Sequence, residues 1–442
     1  MSIFKDCDIR GIYGKELRNE DAYHIGRGLG AMLPPSATMR VGGDVRLSTP
    51  ELKEQLIAGL TDSGVKVEDM GVIPTPALYY ALANGSVDGG ATVTASHNPP
   101  EYNGVKFMLG QEIVSRAVTE RLADIIARRD YPVGSGSVVK TDILPAYLAS
   151  LTKRFGARRP LHVVVDAGNG AMSHVAPTAF RSVGYRVTEL FCEPDGAFPN
   201  RDPNPAEYKH LTALCEKVTE VQADFGVAFD GDGDRAVFVD NLGRAVINEK
   251  SLVLFIRHLL KNRPTPVVFD QKSSSVIRKA VLEMGGAPVP EKSGHAFIKR
   301  RFLELGAAVA GEVSGHFFFG ELGYDDGLYA ALMMAEMLCL SDKTLAELAD
   351  GIVLPPITPD IRLFCPYSQQ QDWLDRVEAI ADTHPCKVVK LDGVRLEFED
   401  GWALMRKSVT AEQVTLRAEA ETSERLNEIL DLVYSVLPER DA

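Results

Sequence analysis

A strand–helix–strand pattern occurs three times along the chain, and it constrains the fold more than any other feature of the sequence. Each copy begins with a short apolar run that ends in aspartate, at residues 40–44, 162–166 and 266–270. A stretch with helical periodicity, a glycine-containing turn and a second apolar run follow each of them. Apolar strands that alternate with helices are typical of buried, largely parallel sheets. The pattern therefore predicts three α/β domains, with ligands expected at the carboxyl ends of their strands.

The last part of the chain follows a different pattern. A proline-rich stretch at 354–359 reads as a linker. Beyond it, residues 373–383 and 423–436 have helical periodicity, and residues 394–398 alternate like a half-exposed strand. This predicts a small α+β domain at the end of the chain. The predicted domains are residues 1–142, 143–243, 244–357 and 358–442.

Composition and charge restrict the classes of function. The 442 residues are 45% hydrophobic and 25% charged, which is typical of globular proteins. The first residues carry charges where a signal peptide needs an apolar core, no apolar run reaches membrane-spanning length, and the six cysteines form no C-x-x-C pair. These features predict a cytoplasmic protein. The net charge of −13 disfavours nucleic acid and anionic membranes as partners, so an anionic small substrate would need a locally basic pocket.

A short alternating strand ends at Ser96, just before the consecutive prolines Pro99 and Pro100. Proline cannot continue a ladder of strand hydrogen bonds, so Ser96 is expected on a stiff turn with an exposed hydroxyl that could attack or carry a group. Serine, asparagine and proline are also ordinary turn residues. Taken alone, the stretch is better explained as an ordinary turn, and a chemical role depends on the loops that follow.

The second loop carries three carboxylates at alternate positions, Asp230, Asp232 and Asp234, separated by glycines. Such a loop can place oxygen ligands around one hard cation. An EF-hand is excluded because its sixth position should be glycine and is Arg235, and its twelfth should be glutamate and is Asn241. With three protein ligands the ion would keep open positions, which is typical of Mg²⁺. An acidic hairpin turn without metal is the alternative.

Two further loops carry polar side chains. Residues 311–316 place a glutamate, a serine and a histidine between glycines, which would suit the hydroxyls of a polyol. Residues 406–410, with Arg417 beyond them, interleave cations with hydroxyls and would suit a phosphate. A satisfied turn and an exposed basic loop are the respective alternatives.

The order of these motifs resembles that of the α-D-phosphohexomutase superfamily, closest to the bacterial phosphomannomutase/phosphoglucomutase group. The resemblance covers essentially the whole chain, from Asp8-Ile9-Arg10-Gly11 to Arg417. It implies three related α/β domains with mixed, largely parallel sheets and a C-terminal TBP-like α+β domain, arranged around a central cleft. It also implies intramolecular phosphoryl transfer between the 1-phosphate and 6-phosphate of mannose or glucose. The sugar 1,6-bisphosphate would be the intermediate or activator, and the protein would be a monomer or homodimer.

The resemblance also implies roles for individual residues. Ser96 would be carried as phosphoserine and would hold Mg²⁺ together with Asp230, Asp232 and Asp234. Lys106 would be the base, with a lowered pKa. The residues expected around the reacting phosphate are Arg10, His97 and Arg235. The residues expected to contact the substrate are Lys272, Gly294, His295, Glu312, Ser314, His316, Arg406, Ser408, Thr410 and Arg417.

Some positions depart from the family pattern. Val409 replaces a small polar residue of the last loop, and Ala411-Glu412-Gln413 follows without the proline that is common in relatives. Cys7 stands where a tyrosine is frequent. Val313 is neither the methionine typical of the mannose and glucose enzymes nor the glutamine of the glucosamine enzymes. A phosphoglucosamine mutase, a phosphatase built on the same serine and a non-catalytic sugar-phosphate-binding paralogue therefore remain as alternatives.

Overall fold

The computed structural model describes residues 3–110, 112–156, 159–408 and 412–438. The chain forms two compact units. The first contains residues up to 251 together with 314–349, and the second contains residues 252–313 together with those from 350 onward. Within the described ranges, no helix is both long and apolar enough to cross a membrane.

The first α/β domain is built on a mixed six-stranded sheet. Its strand order is β1-β5-β4-β2-β3-β6, in which β2, β3, β4 and β6 are parallel and β5 pairs antiparallel with β1 and β4. The elements in chain order are β1 (Ile9–Ile12), α1 (Asn19–Met32), β2 (Thr38–Gly43), α2 (Thr49–Asp62), β3 (Lys66–Val72), α3 (Thr75–Ala83), β4 (Gly89–Val93), β5 (Tyr102–Leu109), α4 (Arg116–Arg128) and β6 (Ser137–Lys140).

Helices α1 and α2 pack with their backbones in close approach. A Cβ atom added at Gly26 would lie 2.2 Å from the carbonyl oxygen of Leu56, and one added at Gly59 would lie 2.1 Å from the carbonyl oxygen of Tyr23. Real Cβ atoms are not found at such distances from backbone, so only glycine fits these two positions. The two glycines allow α1 to pack closely on α2, the helix that follows β2 and Asp44.

The second α/β domain has the strand order β11-β10-β9-β7-β8. Strand β7 is parallel to β8 and β9, and β10 is antiparallel to β9 and β11. The elements are α5 (Leu144–Arg154), β7 (His162–Asp166), α6 (Val175–Val183), β8 (Arg186–Leu190), α7 (Thr212–Glu220), β9 (Phe225–Phe229), β10 (Ala236–Asp240) and β11 (Ala245–Val246). The acidic loop is therefore the turn between β9 and β10, two fully buried strands.

The third α/β segment begins with α8 (Asn248–Leu259). Strand β12 (Pro266–Asp270) precedes α9 (Ser275–Glu283), β13 (Ala287–Glu291), α10 (His295–Leu305) and β14 (Val309–Gly311). Strand β12 is parallel to both β13 and β14, as the third repeat predicted. Next come an antiparallel pair, β15 (Phe317–Phe319) and β16 (Tyr324–Asp325), and the helices α11 (Gly327–Cys339) and α12 (Leu345–Asp350).

The last segment is an antiparallel sheet of order β17-β21-β20-β19-β18. Its elements are β17 (Ile361–Phe364), α13 (Gln370–Glu378), β18 (Lys387–Val389), β19 (Val394–Glu397), β20 (Gly401–Lys407), β21 (Gln413–Ala420) and α14 (Ser423–Ser435). Its core includes Trp373, Leu396, Leu416 and Ile429. The α+β class expected for this segment is confirmed.

Candidate active site

Ser96 lies three residues beyond β4 and is buried, with 1% of its surface exposed. The sequence predicted an exposed hydroxyl, and this expectation was wrong because the acidic loop covers the turn. The φ angle of Ser96 is +52°, a left-handed conformation that costs a residue other than glycine about 1–3 kcal/mol. Its N–H donates to Thr94 Oγ1 at 2.9 Å. The surrounding contacts must therefore hold this strained turn in place.

The acidic loop meets the serine directly. Ser96 Oγ donates to Asp230 Oδ2 at 2.8 Å, although the two residues are 134 positions apart. The two loops also touch through their backbones, because a Cβ atom at Gly231 would lie 2.5 Å from the carbonyl oxygen of Ser96. The sequence predicted that these two loops act together, and the structure brings them together.

The three carboxylates of the loop are suited to a metal ion. Asp230, Asp232 and Asp234 are fully buried, and one oxygen of each lies within 4.8 Å of the others. Oδ1 of Asp232 and Oδ1 of Asp234 are buried without a hydrogen-bond partner among the described residues. Burial, followed by the charges of Asp234 and Asp232, raises the pKa of Asp230 to about 8. An oxygen-only, negatively charged set of this kind fits a hard divalent cation.

Lys106, on β5, forms ion pairs with two of these acids. Its Nζ lies 2.7 Å from Asp232 Oδ2 and 2.6 Å from Asp234 Oδ2. Burial lowers the pKa of Lys106, but the charges of the two carboxylates outweigh it and hold that pKa well above its ordinary value. The expectation of a lowered pKa is therefore wrong for this arrangement, because the sequence did not show that two acids would contact the amine.

Arg235 and His316 contact each other beside the acidic loop. Arg235 Nε donates to His316 Nε2 at 2.9 Å and lies 3.7 Å from Asp230 Oδ2. Because Nε2 accepts this hydrogen bond, the proton of the neutral imidazole is on Nδ1, which lies 2.7 Å from Asp325 Oδ2. Asp325 thereby fixes the orientation of the histidine ring.

Arg10 and His97 lie on the serine side of the cluster. Arg10 donates to Asn98 Oδ1 at 2.6 Å and to Asp8 Oδ2 at 2.5 Å. His97 is half-buried, and its Nδ1 lies 3.4 Å from Ser96 Oγ. Burial and then the positive charges of Arg235 and Arg10 keep the pKa of His97 well below its ordinary value. His97 is thus a neutral side chain at neutral pH.

The second unit contains a separate group of predicted substrate contacts. Lys272 follows β12, and its Nζ lies 2.9 Å from Asp360 Oδ2. The neighbouring Asp270 is fully buried, and burial raises its pKa to about 6 although Lys272 opposes the shift. Burial also raises the pKa of Asp360, but Lys272, Arg417 and Arg406 outweigh it and lower that pKa. The carboxylate of Asp360 therefore lies in the field of three cations that the family resemblance assigns to substrate contact.

Arg406 and Arg417 lie on neighbouring strands, β20 and β21. Arg406 Nε lies 3.1 Å from Asp392 Oδ2, and the buried Arg417 donates to the carbonyl oxygen of Thr358 at 3.2 Å. The other predicted contacts in the second unit are Gly294 with a φ of +133°, His295 at the start of α10, buried Glu312 after β14, and Ser408 after β20. Half-buried Ser314 belongs to the first unit. Thr410 lies outside the described residues, together with Val409.

Comparisons with known proteins decide the family. Models of the phosphoglucomutase/phosphomannomutase alpha/beta/alpha domains I, II and III match residues 1–132, 145–243 and 248–354. The chain belongs to the phosphoglucomutase/phosphomannomutase family. The match to three consecutive domains, in order, agrees with the three repeats read from the sequence.

Members of the phosphoglucomutase/phosphomannomutase family from several bacteria are similar over nearly the full chain. A phosphoglucomutase of Neisseria meningitidis serogroup B is 40% identical, covering 98% of this chain and 96% of the relative. A phosphomannomutase/phosphoglucomutase of Pseudomonas aeruginosa is 38% identical, covering 97% and 94%. The crystal structure of a family protein from Burkholderia thailandensis superposes with a TM-score of 0.93 at 36% identity, covering 98% and 96%. The superfamily, the fold class and the phosphohexomutase class of enzyme expected from the sequence are confirmed.

Sequence reasoning missed several residues that this phosphoglucomutase/phosphomannomutase family member places at the site. Thr75 donates to Asp232 Oδ2 at 2.7 Å through its hydroxyl, and its N–H donates to the carbonyl oxygen of Asp232 at 2.8 Å. Arg46 lies under the serine loop, and Asp325 orients His316. Arg46 had a signal, an arginine two residues after the aspartate that ends a repeat strand. Thr75 had none, because its partner is 157 positions away.

Proposed function

We propose that this chain interconverts the 1-phosphate and 6-phosphate forms of mannose and glucose. The Pseudomonas relative is named for both sugars and the Neisseria relative for glucose. Family membership supports a hexose phosphate substrate, and the choice of these two sugars follows the relatives. A phosphoglucosamine mutase is the second candidate, because Val313 matches the loop of neither group.

The observation that carries the proposal is the meeting of Ser96 with the acidic loop. A serine hydroxyl 2.8 Å from a carboxylate, buried and held in a left-handed turn, suits a group that carries a phosphoryl moiety away from water. Lys106 and Arg235 supply positive charge within the same cluster. Positioning and charge neutralisation are the main requirements of phosphoryl transfer.

In the proposed reaction, phosphorylated Ser96 donates its phosphoryl group to the free hydroxyl of a hexose monophosphate. The bond between phosphorus and Ser96 Oγ breaks, a bond to the sugar oxygen forms, and a base passes the proton of the sugar hydroxyl to Ser96 Oγ as it leaves. The resulting 1,6-bisphosphate turns end for end. Ser96 Oγ then gives up its proton and takes back the other phosphoryl group, and the sugar oxygen that is released receives the proton. The phosphoserine is thereby restored, and no phosphate is lost to water.

Asp230, Asp232 and Asp234, with the phosphate oxygens on Ser96, would hold Mg²⁺. A divalent cation at this position neutralises the charge of phosphoryl oxygens. The Oδ1 atoms of Asp232 and Asp234, which are buried and accept no hydrogen bond from the described part of the chain, support this assignment. Calcium is disfavoured because it usually takes six to eight oxygen ligands, whereas Mg²⁺ is usually held by few carboxylates with substrate and water.

Lys106 has two roles in the proposal. Paired with Asp232 and Asp234 it is an ammonium group, which places a positive charge beside the position of the phosphoryl oxygens. The proton transfer implied by the family resemblance requires that this lysine first release a proton. We therefore assign charge neutralisation to Lys106 in the resting protein and proton exchange with the sugar hydroxyl during turnover.

A coupled assay with the 1-phosphates of glucose, mannose and glucosamine tests the function. Wild-type protein should convert the glucose and mannose substrates, and Ser96→Ala should lose turnover while its circular dichroism and melting temperature stay close to those of the wild type. Intact mass should show a phosphate on the wild type that is absent from Ser96→Ala. Full activity of Ser96→Ala would refute the carrier role, and preference for glucosamine 1-phosphate would select the second candidate.

The same assay distinguishes a mutase from a phosphatase and from a non-catalytic paralogue. A phosphatase would release inorganic phosphate at a rate comparable with isomerisation, and a non-catalytic paralogue would bind sugar phosphate without turnover. Release of phosphate far below the rate of isomerisation is the result expected of a mutase.

The metal assignment is tested by titrating Mg²⁺ into Asp232→Asn, with the exposed Asp142→Asn of the same unit as a matched control. Asp232→Asn should need more than about tenfold higher Mg²⁺ for half-maximal activity, since a buried charged ligand is lost. Asp142→Asn should behave as the wild type. An unchanged Mg²⁺ requirement in Asp232→Asn would remove this aspartate from the set of ligands.

A further inference from the structure

Arg46 is a fully buried arginine whose guanidinium group holds the backbone of the serine loop. Its Nη2 donates to the carbonyl oxygens of Ser96 at 2.9 Å and Asn98 at 2.5 Å. Its Nη1 donates to the carbonyl oxygens of Pro99 at 2.6 Å and Tyr102 at 3.0 Å. A guanidinium group has five N–H donors in a rigid plane. Four of them thus bind one loop, from the serine to the first residue of β5.

The fifth donor leads back to the same serine by a second route. Arg46 Nε donates to Asp44 Oδ2 at 3.1 Å, and this oxygen also accepts a hydrogen bond from Thr94 Oγ1 at 2.7 Å. Thr94 Oγ1 in turn accepts the N–H of Ser96 at 2.9 Å. The N–H and the carbonyl oxygen of Ser96 are therefore both tied to the Arg46–Asp44 pair. This pair fixes the peptide groups on both sides of the serine Cα.

The strained turn at Ser96 explains why such a support matters. Its φ of +52° is unfavourable for serine and persists only where surrounding contacts enforce it. On the other side, a Cβ atom at Gly231 would lie 2.5 Å from the carbonyl oxygen of Ser96, so the acidic loop packs against the very group that Arg46 holds. The position of this carbonyl oxygen sets the separation between the serine loop and the acidic loop.

The aromatic ring of Phe198 covers the guanidinium group. Arg46 Cζ lies 5.1 Å from the centre of this ring, and Phe198 is 6% exposed. Contact between a cation and an aromatic ring is favourable when both are shielded from water. The charge of Arg46 is thus matched by Asp44, by the carbonyl oxygens and by the ring. Because Arg46 is fully buried, its guanidinium group contacts the loop and not solvent.

We propose that Arg46, together with Asp44, is a positioning residue for phosphoryl transfer at Ser96. It sets the distance and direction from Ser96 Oγ to Asp230 by holding the backbone on both sides of the serine. This inference rests on the proposed function, because it assigns a role in the same reaction. Arg46 does not touch the reacting atoms. It acts through the serine loop, and its loss is expected to change the chemical step more than the binding of substrate.

Arg46→Lys is the first test. Lysine keeps the buried positive charge beside Asp44, but its compact ammonium group cannot bridge four carbonyl oxygens. We expect kcat to fall about 100-fold, which is the scale of a misplacement of about 1 Å, while KM changes by less than about threefold. The matched control is Arg40→Lys on β2 of the same domain, whose guanidinium group donates to Glu68 Oε2 at 2.7 Å and to the carbonyl oxygen of Ala81. It should keep wild-type kcat.

Thr94 provides a second pair of variants that leaves the buried arginine in place. Thr94→Val removes the hydroxyl that joins Ser96 N–H to Asp44, and Thr94→Ser retains it. We expect Thr94→Val to slow single-turnover transfer from phosphorylated protein to glucose 1-phosphate by about tenfold or more, and Thr94→Ser to recover most of the rate. A purely structural role would lower the melting temperature of the variants and leave this rate unchanged in the folded protein.

The outcomes separate this inference from the proposed function. Wild-type protein and Arg40→Lys must both show mutase turnover, and its absence from both would contradict the proposed function. Turnover in both, together with an unchanged kcat in folded Arg46→Lys and an unchanged transfer rate in Thr94→Val, would overturn the positioning role alone. If Arg46→Lys does not fold, the Thr94 pair decides, because it alters one hydrogen-bonding group and no buried charge.

Discussion

Asp326 is a buried carboxyl group at the start of α11. Its Oδ1 accepts the N–H of Tyr329 at 2.9 Å, and its Oδ2 accepts the hydroxyl of Tyr147 at 2.8 Å. Burial raises the pKa of Asp326 to about 7, against the two hydrogen bonds, which lower it. A carboxyl group whose folded pKa lies above its unfolded value keeps its proton longer in the folded state. Its stabilising contribution is therefore present below the unfolded pKa of about 4 and is lost as the pH rises towards 7.

Asp326→Asn should abolish this pH dependence. Asparagine is also a good helix N-cap and does not ionise, so the helix start is preserved. Between pH 6 and pH 8 the free energy of unfolding of the wild type should fall by about 1 kcal/mol relative to that of the variant. The reason is that Asp326 of the folded protein loses its proton in this window, while Asp326 of the unfolded chain is already ionised. Urea unfolding at the two pH values measures the difference. Parallel changes in both proteins would show that Asp326 does not titrate there.

Asp360 predicts a change in substrate affinity. Its carboxylate pairs with Lys272 at 2.9 Å and lies in the field of Arg417 and Arg406, two cations that the sequence predicted for a phosphate of the substrate. A carboxylate there competes with an anionic substrate for the same cations. Asp360→Asn should therefore lower KM for the sugar phosphate by about threefold to tenfold, a change on the order of 1 kcal/mol.

Steady-state kinetics measure this effect of Asp360→Asn. The control is Asp372→Asn, which breaks an exposed pair with Arg376 on α13 and should leave KM unchanged. A rise of KM in Asp360→Asn would mean that the carboxylate orients Lys272 for substrate and does not compete with it.

The sequence predicted those features of the site that depend on the spacing of neighbouring residues. The alternate positions of Asp230, Asp232 and Asp234 are sufficient to predict converging carboxylates, because glycines between them let the loop curl. The position of Arg46 after a repeat strand is visible in the sequence, but its contact with Ser96 joins residues 50 positions apart, and no local pattern encodes that contact. The raised pKa of Lys106 has the same origin, since its two carboxylate partners come from another domain. The charge state of a side chain such as Lys106 therefore depends on partners that only the fold brings into contact, and the sequence does not show them.

At the scale of elements, the repeat predicted strands and helices well. Strands β7 and β12 have the predicted bounds, and β2 ends at Gly43, one residue before the predicted Asp44. Continuous valine-rich runs ending in aspartate have few alternatives to a buried parallel strand, which explains this agreement. The mixed character of the first sheet arises from β5, which pairs antiparallel with both neighbours. That order depends on contacts across the sheet, and the chain pattern does not contain them.

The packing of α1 on α2 gives a prediction at this scale. Gly26→Ala would place a Cβ atom 2.2 Å from the carbonyl oxygen of Leu56, so the two helix backbones must separate. We expect a loss of about 1–3 kcal/mol in the free energy of unfolding, the range for overpacking a core. Urea unfolding followed by circular dichroism measures it. The control is Gly156→Ala, where an added Cβ atom meets nothing within 4 Å and the change should be below about 0.5 kcal/mol.

At the scale of the whole molecule, the two compact units divide the chemistry. Ser96, Lys106 and the three aspartates belong to the first unit, and Lys272, Arg406 and Arg417 belong to the second. A chain with a net charge of −13 thus places cations at specific positions in each unit, as its anionic substrate requires. The motifs of the sequence predicted these positions. The division into units could not be predicted, because it cuts through the third repeat segment between residues 313 and 314.

This division predicts which part of the molecule a metal ion stabilises. Binding to the folded state alone stabilises it by about 2.7 kcal/mol when the free ion is at 100 times its Kd. The proposed ligands are all in the first unit, whereas the chain's two tryptophans, Trp373 and Trp402, are both in the second. Mg²⁺ should therefore raise the melting temperature seen by calorimetry for the first unit by a few degrees and leave the transition seen by tryptophan fluorescence unchanged. Asp232→Asn should abolish the calorimetric shift. An equal shift of the fluorescence transition would mean either that the ion binds elsewhere or that the two units melt together. Asp232→Asn separates these two outcomes. The fluorescence shift should disappear in the variant if the ion binds at Asp232 and the units melt together, and it should persist if the ion binds elsewhere.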